Sequence, residues 1–220
     1  SSTGIGSIDS AGSVNTDAGF SICTYTGTGS NATFSHGLGA VPKMAIFKDR
    51  SSTGYWMTYH QAVGNGSNLV LNTTDAKSDS AVWWNSTTPT SSVFSIGTST
   101  NINVSGRNYV GYLFAEKQGY SKFGSYTGNG NADGTFVYTG FKPAFIIFKN
   151  IDSGSTDWVL YDNKRSGFNS NNLALYPNAS AADDSGNDPD ILSNGFKQRA
   201  TGGDRNANGE NIIYMAFAEN

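Results

Sequence analysis

The sequence predicts an all-β protein of two tandem, internally duplicated halves, each an antiparallel β-sandwich of jelly-roll type, the two packed together. Three observations carry that expectation. First, one stretch occurs twice: Tyr25, Gly27, Gly29, Pro42 and Ile46-Phe47-Lys48 return 101 residues later as Tyr126, Gly128, Gly130, Pro143 and Ile147-Phe148-Lys149. Phe34 answers Phe136 between them, and Leu113-Phe114-Ala115-Glu116 answers Ala216-Phe217-Ala218-Glu219. A repeat of that length is domain-sized rather than solenoid-sized. Second, short apolar runs are separated by Gly, Pro and Asn turns without helical periodicity. Third, only 14% of residues are charged, against roughly 25% in an ordinary soluble domain. Ser, Thr, Asn and Gly replace the missing charge, and they suit strands and turns better than helices. The expected organisation is a Ser/Gly-rich linker or arm at 1–19, a first repeat at 20–116, a short connection at 117–122 and a second repeat at 123–220.

In chain order, Phe20 to Tyr25 alternates as a strand does, and the Gly27 to Asn31 turn residues with Phe34 beyond them predict a hairpin. Pro42 then precedes Met44-Ala45-Ile46-Phe47, and Pro143 precedes Ala144 to Phe148. Proline is tolerated at the first residue of a strand, and a continuous apolar run marks a strand buried on both faces, so these are the expected central strands. Further strands are expected at 55–60, 68–72, 81–85, 93–96 and 109–115, then at 158–161, 173–176 and 212–218. Trp56 and Trp158 fall at near-equivalent strand positions, which favours packing roles. Residues 181–190 read as an acidic loop, and 162–166 as the only candidate helical turn.

The formal net charge of −3 argues against nucleic-acid binding, which needs clustered Lys and Arg. No apolar run approaches a membrane span of roughly 18 residues, so no membrane insertion is expected. Residues 1–19 lack the basic start and apolar centre of a signal peptide. The first residue is Ser rather than Met, as in a segment of a longer protein. Cys23 is the single cysteine, which excludes an internal disulfide framework.

Gly27-x-Gly29 and Gly128-x-Gly130 resemble the start of a dinucleotide loop, yet strands rather than helices follow them. Asn129-x-Asn131-x-Asp133-Gly134 and Asp204-x-Asn206-x-Asn208-Gly209 imitate calcium loops, but the twelfth position, where a bidentate Glu is needed, is Gly140 or Met215. Asn-Gly turns account for both, and for Asn101-x-Asn103-x-Ser105-Gly106. Asp183, Asp184, Asp188 and Asp190 are the remaining cation candidates, with a solvated loop as the simpler reading; the expectation is no metal and no cofactor. His36 and His60 are the only histidines, and no nucleophile elbow exists, so no catalytic residue is assigned. A glycosidase needs two carboxylates that can be far apart in sequence, and no pair is marked out. Exposed aromatics beside amides make a sugar-binding face. On that ground Trp83, Trp84 and Asn85, with Asn129, Asn131 and Asp133 on the repeated turn, are the candidate glycan contacts. Two adjacent Trp on a strand point to opposite faces, so one of Trp83 and Trp84 is expected to be exposed.

Taken together, Gly19-Phe20-Ser21-Ile22 into YTGTG, SHGLGAVP, WNSTTPTSSVFSIG (84–97), YVGYLFAE (109–116), GYSKFGSYTGNGNADGTFVYTGFKP (119–143), LSNGFK (192–197) and IYMAFAE (213–219) resemble a domain of unassigned function. That domain occurs in tail-fibre and other virion structural proteins of tailed phages, many from marine bacteria. The resemblance extends from about residue 19 to the end and brings no catalytic residues with it. It implies a non-enzymatic structural module on the virion surface, in a tail fibre or appendage, with host-surface glycan as a binding partner. It implies assembly as a homo-oligomer, such as a trimer, alongside other virion proteins. A capsid decoration protein and a depolymerase domain are the alternatives.

Overall fold

Proline has no N–H to give to a ladder, and both repeats place one at the entry to their most buried strand. The computed structural model of the chain describes residues 4–170, 173–185 and 189–219, which form two compact units. The protein is all-β. Unit 1 comprises 1–70 and 77–116, and unit 2 comprises 71–76 and 117–220.

Unit 1 contains β1 (Ser10–Asn15), β2 (Phe20–Thr26), β3 (Ala32–Ser35), β4 (Pro42–Asp49), β5 (Trp56–His60), β6 (Ser67–Val70), β7 (Ser78–Asp79), β8 (Val93–Ile96) and β9 (Asn108–Ala115). One sheet has the order β1-β2-β9-β4-β5-β6-β7, and β3 pairs with β8 in a second. Unit 2 contains β10 (Ser121–Thr127), β11 (Phe136–Tyr138), β12 (Pro143–Asn150), β13 (Trp158–Asp162), β14 (Asp190–Leu192), β15 (Gly195–Lys197), the four-residue helix α1 (Gly203–Asn206) and β16 (Asn211–Ala218). Its sheets are β10-β16-β12-β13 and β11-β15-β14. The order β2-β9-β4-β5 is thus repeated as β10-β16-β12-β13, with every pairing antiparallel. Even the irregularity after each proline recurs, between Pro42 and Met44 and between Pro143 and Phe145.

In each unit an aromatic core fills the space between the two sheets. Phe47 is fully buried and meets Tyr25, Phe34, Trp84 and Phe94. Phe148, also fully buried, meets Tyr126, Tyr161 and Phe196. The copies fit their central ring differently. Gly111 lies opposite Phe47, where a Cβ would stand 2.7 Å from the ring; in the second unit Gly124 gives way instead to Tyr214.

Several expectations need correction. Residues 10–15 are not a linker but an edge strand, paired with β2 at every residue. Main-chain bonds rather than side chains secure it, so its Ser/Gly composition hides it; at Gly12 a Cβ would fall 2.0 Å from the Ile22 carbonyl oxygen. The connection is shorter than 117–122, because β10 begins at Ser121. The predicted hairpin is absent: β2 pairs with β1 and β9 while β3 pairs with β8, so the glycine loop crosses from one sheet to the other. Residues 81–86 are turns rather than a strand, and 173–176 contributes only the isolated bridges of Ala174 and Leu175. The helical turn lies at α1; at 162–166 the Asp162 carboxylate instead accepts from the N–H groups of Lys164 and Arg165. Trp56 and Trp158 pair with Lys48 and Lys149; Trp158 is fully buried as a packing residue, whereas Trp56 is only half-buried and stacks on Tyr112.

Lys149 is fully buried. Its Nζ donates to Thr156 O (2.5 Å), Thr156 Oγ1 (2.9 Å) and Thr74 O (3.2 Å). Burial lowers its pKa to about 8, although Asp204, Asp157 and Asp75 favour the charged form. The folded chain therefore releases this proton near pH 8, whereas the unfolded chain keeps it to about 10.5. Below pH 8 the buried charge carries a penalty of about 3 kcal/mol, relieved as the pH rises through that window. Urea unfolding of the chain and of Lys149→Met at pH 7.5 and 10 is expected to show the parent gaining stability relative to the variant. A gain for the variant contradicts the assignment.

Candidate functional site

The repeated Tyr-Thr-Gly-x-Gly builds a loop-to-loop lock. Asn103 and Asn206, each fully buried, lie at the centre of it. Asn103 Nδ2 donates to Ser30 O and Gly97 O, both at 2.7 Å, and its Oδ1 accepts from Thr28 N at 2.7 Å. Asn206 Nδ2 donates to Asn131 O (2.9 Å), Ala200 O (2.8 Å) and Asn129 Oδ1 (3.0 Å), and its Oδ1 accepts from Asn129 N (3.0 Å). The repeated tyrosines close the same knot: Tyr25 Oη donates to Ile102 O (2.8 Å) and Tyr126 Oη to Arg205 O (2.6 Å). Burial pushes both phenols well above their ordinary range. The first glycine of each pair is needed for close approach, because a Cβ there would fall 2.3 Å from Val104 O or 2.2 Å from Ala207 O.

The calcium-like stretches are part of this lock. Asn129 Oδ1 also accepts from Asn131 N, and Asn131 Oδ1 from Asp133 N. Asp133 pairs with Lys197 at 2.5 Å, which holds its carboxyl below the ordinary range. Asp190 pairs with Arg199 and Asp184 accepts from Tyr176 Oη. Asp183 is exposed, and Asp188 lies outside the described residues. Among the described residues no three His, Cys, Asp or Glu side chains are grouped for a metal ion. His36 and His60 are both buried. His36 Nε2 bonds Thr90 O, and Nδ1 accepts from Leu38 N.

The candidate glycan contacts are divided between the two units. Trp84 must be withdrawn: it is fully buried among Phe47, Tyr59 and Phe94, and its Nε1 donates to Ser67 O at 2.7 Å. Trp83 is half-buried against the same core, its shielded Nε1 without a partner among the described residues. The two rings diverge because they stand on a tight turn. Asn85 and Ser86 both have positive φ (53° and 44°), and Thr87 N donates back to Trp84 O. Asn85 is exposed, and its Oδ1 accepts from Asn31 Nδ2 at 2.7 Å. Trp83 and Asn85 belong to unit 1; Asn129, Asn131 and Asp133 belong to unit 2.

Sequence reasoning missed two surfaces. In unit 2, Phe136 and Tyr138 are 46% and 64% exposed, while Val137 between them points into the core. In unit 1, a cavity of about 470 Å³ is lined by Asp49, Ser52, Tyr55, Thr100, Asn101 and Arg107, among others. Asp49 is buried there; its Oδ2 accepts from Arg107 Nη1 (3.0 Å) and Ser52 Oγ (2.8 Å), and its Oδ1 from Ser51 N (2.7 Å). Burial pushes that carboxyl up, but these donors more than offset it and hold it below the ordinary range.

No curated protein and no solved structure matches this chain. Over residues 1–220 it matches a family model, and the chain belongs to the family described as a domain of unknown function, DUF7483.

Proposed function

We propose that the chain is a non-enzymatic structural module of a virion surface, part of a tail fibre or similar appendage, that touches host-surface glycan through its loops. The observation that carries this reading is the contrast between constant frame and varied loops. Both units keep the same strand order and the same buried Asn lock, while the residues displayed around that lock differ. Unit 1 shows Asn31 and Asn85, and unit 2 shows the Asp133–Lys197 pair. Rigid elements carrying variable loops are the usual arrangement for recognition. The carboxylate at the unit 1 cavity supports binding over cleavage. Asp49, held ionised by Arg107 and two further donors, is the one carboxylate among the residues that line the cavity, whereas a glycosidase needs a second carboxyl with a raised pKa as its acid.

Assembly in many copies belongs to the same proposal, since closed symmetry protects sheet edges such as β1. The test uses polysaccharide from the envelope of the host, with binding and polymer length followed in one sample. The chain is expected to be retained and the polymer to keep its length. Shortening of the polymer would replace this reading with that of a depolymerase.

A further inference from the structure

The duplication supplies an internal control for the unit 1 cavity. In unit 2 the loop after β12 is tied to the closing loop around α1. Asp157 N donates to Asp204 Oδ1 (2.8 Å), Ser153 Oγ to Glu210 Oε1 (2.6 Å), and Asn150 Nδ2 to Gly203 O (2.6 Å). The equivalent positions in unit 1 are Tyr55 and Asn101, Ser52 and Arg107, and Asp49 and Thr100. Unit 1 keeps the tie between Arg107 Nη1 and Ser52 Oγ (3.2 Å), but among the described residues the other two are missing, and a cavity of about 470 Å³ lies between the loops there. That is within the roughly 300–1,000 Å³ typical of small-ligand sites.

What lines the gap is chemically specific. Tyr55 is 50% exposed on one wall. Asn101 stands on the other, and neither the Asn101 side-chain amide nor the Tyr55 hydroxyl has a hydrogen-bond partner among the described residues. Arg107, partly exposed, also lines the gap beside the buried Asp49. Its Nη1 is held by Asp49 Oδ2 and by Ser52 Oγ at 3.2 Å, so the guanidinium is fixed while its other N–H groups remain available. Hydroxyls of Thr53 and Thr100 complete the rim. One cation and one buried anion leave the gap close to neutral.

We propose that this cavity is a saccharide subsite that takes one pyranose ring of a surface glycan. The proposal rests on the glycan part of the reading above and gives it a location. The aromatic face of Tyr55 stacks on the C–H face of the sugar. The Asn101 amide and the free N–H groups of Arg107 bond ring hydroxyls, replacing the loop-to-loop bonds that close the equivalent space in unit 2. Asp49 orients Arg107 and does not itself touch the sugar.

The experiment is a ¹⁵N–¹H NMR titration of the full chain with neutral and uronate-containing oligosaccharides from the host envelope, repeated on Tyr55→Ala and Asn101→Ala. At least one oligosaccharide is expected to shift signals confined to 52–55, 100–104 and the Arg107 side chain. Tyr55→Ala is expected to weaken that binding tenfold or more with an unchanged melting temperature, because the ring is half in solvent. Shifts that map instead to Asn85, or to Asn129 to Asp133, overturn the subsite and leave the glycan reading standing. Absence of shifts with every oligosaccharide overturns the subsite; failure of the chain to be retained on the intact polysaccharide then removes the glycan reading as well.

Discussion

Replacing Asn103 or Asn206 by Ala is expected to lower the stability of its unit by about 3–5 kcal/mol, far more than an ordinary amide deletion. Each of these side chains sits at 0% exposure and serves the main chain of two separate loops at once. Removing Asn103 strands the buried Gly97 carbonyl, leaves the part-buried Thr28 N–H without its acceptor, and leaves Ser30 O with Thr28 Oγ1 alone. Every buried polar group left without a partner costs about 1–3 kcal/mol, and partial relaxation keeps the sum below the simple total. Asn103→Asp separates the contributions: it keeps the acceptor for Thr28 N but sets a carboxylate against two carbonyls. It should therefore be no better tolerated than Ala. Denaturant unfolding of the single variants checks the size, and hydrogen exchange checks the place, with protection lost first at Thr28 and Gly29 for Asn103→Ala. A loss under 1 kcal/mol for both asparagines would contradict the lock.

The second large effect is expected at the ring each core is packed around. Phe47→Ala and Phe148→Ala should each cost about 3–5 kcal/mol, from lost transfer energy plus the cavity left behind. Both rings are at 0% exposure in central strands, and each touches at least three other aromatic rings. Neighbouring aromatic side chains collapse poorly into a void, which places both variants toward the upper part of that range. Thermal or urea unfolding of the two variants is the check. Near-parental stability in both would mean that the cores lie elsewhere.

Strands were legible in the sequence where side chains do the packing. Pro42, Pro143 and the apolar runs behind them located β4 and β12, and the repeat itself announced the shared strand order. Structure held by the main chain left no such trace: β1 is secured by a ladder that any residue can make, and its Ser and Gly suggested a linker. The glycine loop reads as a hairpin because its real partner is distant, Thr28 meeting Asn103 75 residues away. Trp83 and Trp84 read as opposite faces of a strand, but two successive positive-φ residues make a turn there, and Trp84 is buried. In the sequence repeat Phe136 falls opposite Phe34. In fact Phe34 pairs with Phe94 and Val137 with Phe196, five residues beyond Gly29 and seven beyond Gly130. That longer loop puts Val137 in the core and turns Phe136 and Tyr138 outward, since side chains alternate along a strand. The unit 1 cavity depends on Tyr55 and Asn101 failing to do what Asp157 and Asp204 do, and no pattern within either segment announces it.

Whether the chain works on the outside of a virion is settled most directly by a cryo-electron microscopy map of the intact particle, with this chain's density identified by its paired sheet units. The account predicts density on the exterior of a tail fibre or appendage, in a closed symmetric set, with the Tyr55–Arg107 cavity facing solvent. Density inside the capsid, or a particle that contains no copy of the chain, would contradict it.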